Sequence, residues 1–240
     1  MYSIETRKLT KKFKDKIAVN GIDLSIKEGE LFALLGVNGA GKTTTIKMLC
    51  GLILPTSGSI SICNMDMKKD TLKIKELLNV SPQETAIAPN LTVKENLEFM
   101  AGVYQIKNKE SKIEELVKIF KLKDVLNKKA KTLSGGWQRR LSIAISLIND
   151  PKILFLDEPT LGLDVIARKE LWKIISELKG KITIILTTHY MEEAESLSDR
   201  IGIMVDGNII SVGTSKELIK KTKAHNFEDA FVAIATGGEL

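Results

Sequence analysis

The stretch Leu31-Phe32-Ala33-Leu34-Leu35, followed by Gly36-Val37-Asn38-Gly39-Ala40-Gly41-Lys42-Thr43, limits what this chain can fold into more than any other. A short, continuous apolar run predicts a strand buried on both faces. The eight residues after it fit the pattern G-x-x-x-x-G-K-[ST], and Thr44 to Leu49 continue them as a helix. Glycines let successive backbone N–H groups turn inward without side-chain clash, and those groups, with a helix N-terminus behind them, suit phosphate oxygens. The expected phosphate cradle is Gly36, Asn38, Gly39, Ala40, Gly41, Lys42, Thr43 and Thr44. Lys42 would reach the outer phosphates as a point charge, and Thr43 would offer its hydroxyl to Mg²⁺. A nucleoside triphosphate is the expected ligand.

Three further buried strands are expected at residues 153 to 156, 182 to 186 and 201 to 205, separated by helices over 166 to 178 and 191 to 197. This alternation is βαβ grammar and predicts an α/β fold with a mostly parallel sheet. Alternation in Ile22-Asp23-Leu24-Ser25-Ile26 reads as a half-buried strand, and Asp206-Gly207 as a hairpin turn. From about Glu84 to Thr132 the pattern is helical. Thr92-Val93-Lys94-Glu95 and Ser111-Lys112-Ile113-Glu114 both fit capping boxes, so a helical insert is expected to interrupt the α/β core. Thr214 opens another short helix. The division is a single domain: a core of residues 1–83 and 133–222, an insert of 84–132, and a short tail of 223–240. Residues 226 to 235 are read as packing either on the core or on a partner.

Asp157 and Glu158 follow the buried run Ile153-Leu154-Phe155-Leu156. Two adjacent carboxylates there are costly to desolvate without a cation or proton partner. In an open parallel sheet, ligands sit at the strand C-termini. Asp157 is therefore placed to hold Mg²⁺, and Glu158 to polarise a water attacking the terminal phosphate. His189 closes the next apolar strand and reads as a γ-phosphate sensor. Gln83 stands where the core gives way to the insert, at a joint that could couple nucleotide contact to insert movement.

Composition narrows the class. No apolar stretch approaches the roughly 20 residues of a membrane span. Cys50 and Cys63 form no metal-spaced pair, which fits a reducing, cytosolic setting. The net charge of +6 is uneven: residues 107 to 131 carry nine lysines against four acidic groups. These lysines read as solvated surface or as attraction to an anionic surface such as lipid. Aromatic residues do not interleave with them, so no nucleic-acid partner is expected.

Taken in order, the phosphate loop, Gln83, Leu133-Ser134-Gly135-Gly136, Asp157-Glu158, Leu161-Gly162-Leu163-Asp164 and His189 resemble the ATP-binding subunits of ABC transporters, over about residues 2 to 222. The resemblance implies ATP and Mg²⁺ as ligands, an ATPase activity, and a core that adds an N-terminal antiparallel β part. It implies that LSGG binds ATP held by the phosphate loop of a second, antiparallel subunit, either another copy or a homologue. Ser134 would then donate its hydroxyl to the γ-phosphate across the dimer. Gly135 and Gly136 would let backbone N–H groups approach, and a helix beginning at about Gly136 would add its positive end. By the same resemblance Phe13 matches the aromatic position that stacks on adenine; on its own it equally fits a core phenylalanine. Asp164 matches the acid that contacts the partner subunit, and Gln83 a metal contact. Trp137 departs from the family's usual Gln, and it could cover the helix start, face the partner or pack inward.

Thr188-His189-Tyr190-Met191-Glu192-Glu193-Ala194-Glu195 and Ser198-Asp199-Arg200-Ile201 are similar to the subgroup paired with ABC-2-type permeases, and the short tail agrees. This implies export of a small-molecule cargo through a separate integral membrane permease, with the chain at the cytoplasmic face of the membrane. An importer ATPase is the alternative, and a non-transport ABC ATPase a further one.

Overall fold

The computed structural model describes residues 1–237, so the last three residues of the expected tail lie outside the described residues. The chain opens with two long antiparallel strands, β1 (Tyr2–Phe13) and β2 (Lys16–Lys27), then β3 (Leu31–Leu35) and the helix α1 (Lys42–Leu49). Next come β4 (Ser57–Ile62), β5 (Met65–Asp66), α2 (Thr71–Leu77) and β6 (Leu78–Ser81). Two helices follow, α3 (Val93–Val103) and α4 (Lys109–Ile119), then single 3₁₀ turns at Lys123–Val125 and Ala130–Thr132. The remainder is α5 (Gly135–Ser146), β7 (Ile153–Asp157), α6 (Val165–Leu178), β8 (Thr183–Thr188), α7 (Met191–Leu197), β9 (Arg200–Val205), β10 (Asn208–Gly213), α8 (Ser215–Thr222) and α9 (Phe227–Ala235).

The strands form two sheets. A four-stranded antiparallel sheet runs β2-β1-β4-β5, and a six-stranded sheet runs β10-β9-β3-β8-β7-β6. In the larger sheet every pairing is parallel except β9 with β10. That exception turns at Asp206 and Gly207, both with positive φ, as a two-residue hairpin requires. β3, β7 and β8 are buried at every position, which explains the continuous apolar runs Leu31–Leu35, Ile153–Leu156 and Ile184–Leu186 within them. The faces of this sheet feed two apolar clusters. One holds Phe32, Leu34, Phe155 and Ile185 against α1 and the antiparallel sheet. The other holds Leu31, Leu35, Leu154 and Leu186 against α5, α6 and the helices of the middle segment.

That middle segment has no strand between Gln83 and Leu133 among the described residues, in line with the helical pattern. Its Leu97, Leu116 and Phe120 belong to the same continuous cluster as Leu31 of the sheet, so it does not carry a core of its own. Its entry and exit are laced together. The Val93 and Lys94 N–H groups donate to the carbonyls of Lys128 and Leu126 at 3.1 and 3.0 Å; Ala130 and Lys131 donate to Leu91 and Pro89 at 2.8 and 2.9 Å.

The capping box expected at Thr92 is formed in both directions, and Thr214 opens a helix as expected, with a capping box of its own to Glu217. The expected box at Ser111 is not formed. α4 begins earlier, at Lys109 after Asn108, because Gln105 at φ 53° ends the preceding turn and Lys109 and Glu110 are good helix formers; Ser111 therefore lies inside the first turn. The half-buried strand expected over 22 to 26 belongs to the end of the much longer β2. The tail folds as α9, with Phe227 buried and Phe231 and Ile234 packed on the core.

Candidate functional site

The parallel strands place the motif residues along one edge. β3 ends at Leu35, β8 at Thr188, β7 at Asp157 and β6 at Ser81, and these four strands are neighbours in the order β3-β8-β7-β6. The phosphate loop, His189, the Asp157–Glu158 pair and Gln83 thus follow one another across the sheet edge. A cleft of about 540 Å³ opens there, lined by Phe13, Asn38, Gly39, Gly41, Lys42, Thr43, Thr44, Gln83, Glu158 and His189, together with Lys16, Ala18 and Leu161.

The loop's tight path has a steric cause. Gly41 has φ 106°, and a Cβ there would lie 2.4 Å from the Ala18 carbonyl oxygen on β2. Only glycine allows that approach. The loop delivers Lys42 to the first turn of α1, where its ammonium donates to the carbonyls of Gly36 (2.8 Å) and Val37 (3.2 Å) and lies 3.3 Å from Glu158 Oε1. Glu158 Oε2 is 2.6 Å from His189 Nδ1. Glu158 holds this place at φ 50°, a conformation that costs a non-glycine residue about 1 kcal/mol or more and recurs at functional sites. Its N–H is fixed by the carbonyl and the hydroxyl of Thr187, both at 3.1 Å.

Asp157 does not line the cleft wall; it is buried behind it. Its Oδ1 accepts from Thr43 Oγ1 at 3.1 Å and from Thr187 Oγ1 at 2.5 Å. Thr187 pairs directly with Asp157 in the β7–β8 register. The Thr43 hydroxyl and the Asp157 carboxylate are adjacent hard oxygen donors beside a phosphate loop, which fits a small divalent cation such as Mg²⁺. Gly36 and Ala40 also lie behind the wall and shape the loop from within.

Four expected residues stand apart from this cleft. Ser134, Gly135 and Gly136 sit at the N-terminus of α5, which begins at Gly135, and Ser134 makes no capping hydrogen bond with its side chain. Gly136 also has a packing reason to be small, since a Cβ there would lie 3.1 Å from the Ala167 Cβ on α6. Asp164 caps its own helix, accepting from the N–H groups of Ile166 and Ala167 at 2.9 Å. Trp137 is half-buried against the core, with the Arg140 guanidinium 4.7 Å from its ring centroid. Phe13 is not a core residue: it is 48% exposed at the end of β1, on the cleft wall.

Sequence reasoning missed a buried layer behind the site. Glu193 on α7 is fully buried, and its Oε1 accepts from Thr160 Oγ1 (2.8 Å) and Trp172 Nε1 (2.9 Å). Burial pushes its carboxyl above the ordinary carboxylate range, against the pull of hydrogen bonds from Thr188, Thr160 and Trp172. Thr187 and Lys16 were missed too. The only sequence signal for Lys16 was its place three residues after Phe13 in a basic hairpin.

A strand–loop–helix cradle facing an acid pair on a nearby parallel strand defines a P-loop nucleotide-binding protein. The model of the family described as "ABC transporter" matches residues 19–161, and the chain belongs to that family as one of its ATP-binding domains. It is 43% identical over 218 residues to the probable multidrug ABC transporter ATP-binding protein YbhF of Escherichia coli (strain K12), covering 90% of this chain and 38% of that one. It is 41% identical over 221 residues to the Nod factor export ATP-binding protein I of Burkholderia orbicola (strain AU 1054), covering 90% of this chain and 72% of that protein. The chain thus spans well under half of the first relative's length and about three quarters of the second's. Among solved structures, a dimeric ATP-binding cassette in a post-hydrolysis state bound to ADP and Pi superposes with a TM-score of 0.78 at 27% identity, over 88% of this chain and 98% of the other.

Proposed function

We propose that this chain is the ATP-hydrolysing subunit of an export system, closing as a pair around two ATP molecules and docking on a separate membrane permease. The observation that carries this reading is the convergence of Lys42, Thr43, Glu158 and His189 on one cleft at the sheet edge, with Asp157 buried behind Thr43 and bonded to it. In this reading Phe13 stacks on the adenine, and the residues from Gly36 to Thr44 cradle the phosphates. The Lys42 ammonium neutralises charge developing on the terminal phosphoryl group. Glu158 accepts a proton from the attacking water, and His189 holds its carboxylate through Oε2. Thr43 and Asp157, with Gln83, would hold Mg²⁺, which when bound supplies charge neutralisation between the outer phosphates.

Pairing follows from where the remaining motif residues lie. Ser134 and Gly135 are exposed and absent from their own chain's cleft, so they reach a nucleotide only in a second molecule. The helix end behind them, with no acidic residue in its first turn, favours a phosphate supplied from outside. A related cassette has been solved as a dimer with ADP and Pi. The export direction rests on the relatives named for multidrug transport and Nod factor export. No helix among the described residues is long and apolar enough to cross a membrane; in this reading a membrane permease provides the path, with the chain at the cytoplasmic face. The division into core (1–83 and 133–222), helical insert (84–132) and tail (from 223) is part of this proposal, the insert being the piece that would meet the permease.

The test is analytical ultracentrifugation of the Glu158→Gln variant. A dimer with ATP and a monomer without it is the expected result. A monomer at saturating ATP overturns the paired reading.

A further inference from the structure

Arg139 lies on α5, four residues after Gly135, and is 5% exposed. A buried guanidinium normally meets a carboxylate. Here its side-chain hydrogen bonds, among the described residues, go to main chain. Nη1 donates to the Pro82 carbonyl at 2.7 Å and Nη2 to the Gln83 carbonyl at 2.5 Å. A second contact lies one turn on, where the buried hydroxyls of Ser142 and Ser81 are 3.1 Å apart. Gly135, Arg139 and Ser142 fall at i, i+4 and i+7, on one face of α5. The helix face that begins at the exposed Gly135 is therefore the face that grips the segment leaving β6.

We infer that Arg139 is a positioning residue that couples the two nucleotide half-sites carried by one chain. This rests on the paired reading above. Gln83 lines the chain's own cleft, whereas Ser134 and Gly135 are exposed outside it, where in the paired reading they would meet the nucleotide of a second molecule. The two carbonyl bonds tie the backbone of the first element to the helix that aims the second, about 6 Å further along the axis. The guanidinium is a rigid planar fork, and donation from both its terminal nitrogens fixes direction as well as distance. A shift of the Gln83 backbone on nucleotide contact would be passed to the N-terminus of α5. An ATP in the chain's own cleft would in this way set the angle at which the chain meets its partner's ATP.

The experiment compares Arg139→Met with the native residue, both in the Glu158→Gln background. Two quantities are read on folded protein: the affinity of the monomer for ADP, by calorimetry, and the ATP concentration giving half-maximal dimer, by ultracentrifugation. The expected result is an ADP affinity within about twofold and an ATP requirement raised by about fivefold or more, the usual scale of coupling between sites. Arg139→Lys keeps the charge and loses the fork, and should raise the ATP requirement as well; it stands in if the Met variant does not fold. A brace that merely stabilised the fold would lower the melting temperature and leave the ATP requirement of the folded fraction unchanged, which would overturn the coupling role alone. If Glu158→Gln with native Arg139 shows no ATP-dependent dimer, the paired reading falls and this inference with it.

Discussion

Glu158 and His189 face each other from the ends of adjacent strands, with Oε2 of the one 2.6 Å from Nδ1 of the other. The second oxygen of the same carboxylate lies 3.3 Å from Lys42 Nζ, so one side chain meets both the phosphate-loop cation and the imidazole. Replacing Glu158 by Gln keeps the shape and, in the proposed role, removes the proton acceptor. Steady-state phosphate release should fall by about 10²- to 10⁴-fold, the usual worth of a general base, while nucleotide binding persists. Near-normal turnover would remove Glu158 from that role.

Lys42→Ala acts on binding itself. The side chain is buried and supplies charge-assisted hydrogen bonds, each worth about 1.5–3 kcal/mol. Loss of one such bond to a phosphate corresponds to a weakening of about 10- to 150-fold. Titration with a fluorescent ATP analogue reads this directly, and an unchanged affinity would count against the phosphate-loop assignment.

Glu193 predicts a pH effect on stability. Burial first, then the charge of Glu158, raise its carboxyl above the ordinary range. The folded state therefore binds a proton that the unfolded chain releases. The resulting stabilisation is complete below the ordinary carboxylate range and is lost as pH rises through the elevated folded value. Glu193→Gln keeps an oxygen for Thr160 and Trp172 and has nothing to ionise. Calorimetry should show the variant melting above the native protein at about pH 8, with the gap closing toward about pH 5. A gap independent of pH would mean that Glu193 does not titrate in this way.

Phe227 anchors the final helix and is 2% exposed within the main apolar cluster. Phe227→Ala should cost about 3–5 kcal/mol in urea unfolding, as for other buried aromatic truncations. A loss under about 1 kcal/mol would show that α9 is not seated on the core in solution.

What was legible in the sequence divides along physical lines. Gly36 to Thr43 and Asp157–Glu158 could be read because each is a local pattern with its own strand beside it. Thr187 could not: its link to Asp157 exists only through the β7–β8 register, which depends on pairing across 30 residues of chain. Glu193 and Arg139 were hidden for a related reason. Charged residues in helices are normally surface residues, and only the packing of α7 against β3 and α6, and of α5 against β6, reveals these two as buried. Ser111 shows the opposite failure. Its local pattern was sound, but the stop at Gln105 and the helix formers Lys109 and Glu110 set the helix start first.

The lacing of residues 89–94 to 126–131 has a practical consequence. Because the two ends of the middle segment are clasped at their base, extra residues in the turn between α3 and α4, at the exposed Lys107 and Asn108, need not reach the sheet edge. Lengthening a closed loop costs only about 0.6 kcal/mol per doubling. That turn is therefore a natural place to graft an epitope or a fluorescent reporter, which would ride on the helices and signal their displacement while the cleft stays chemically untouched.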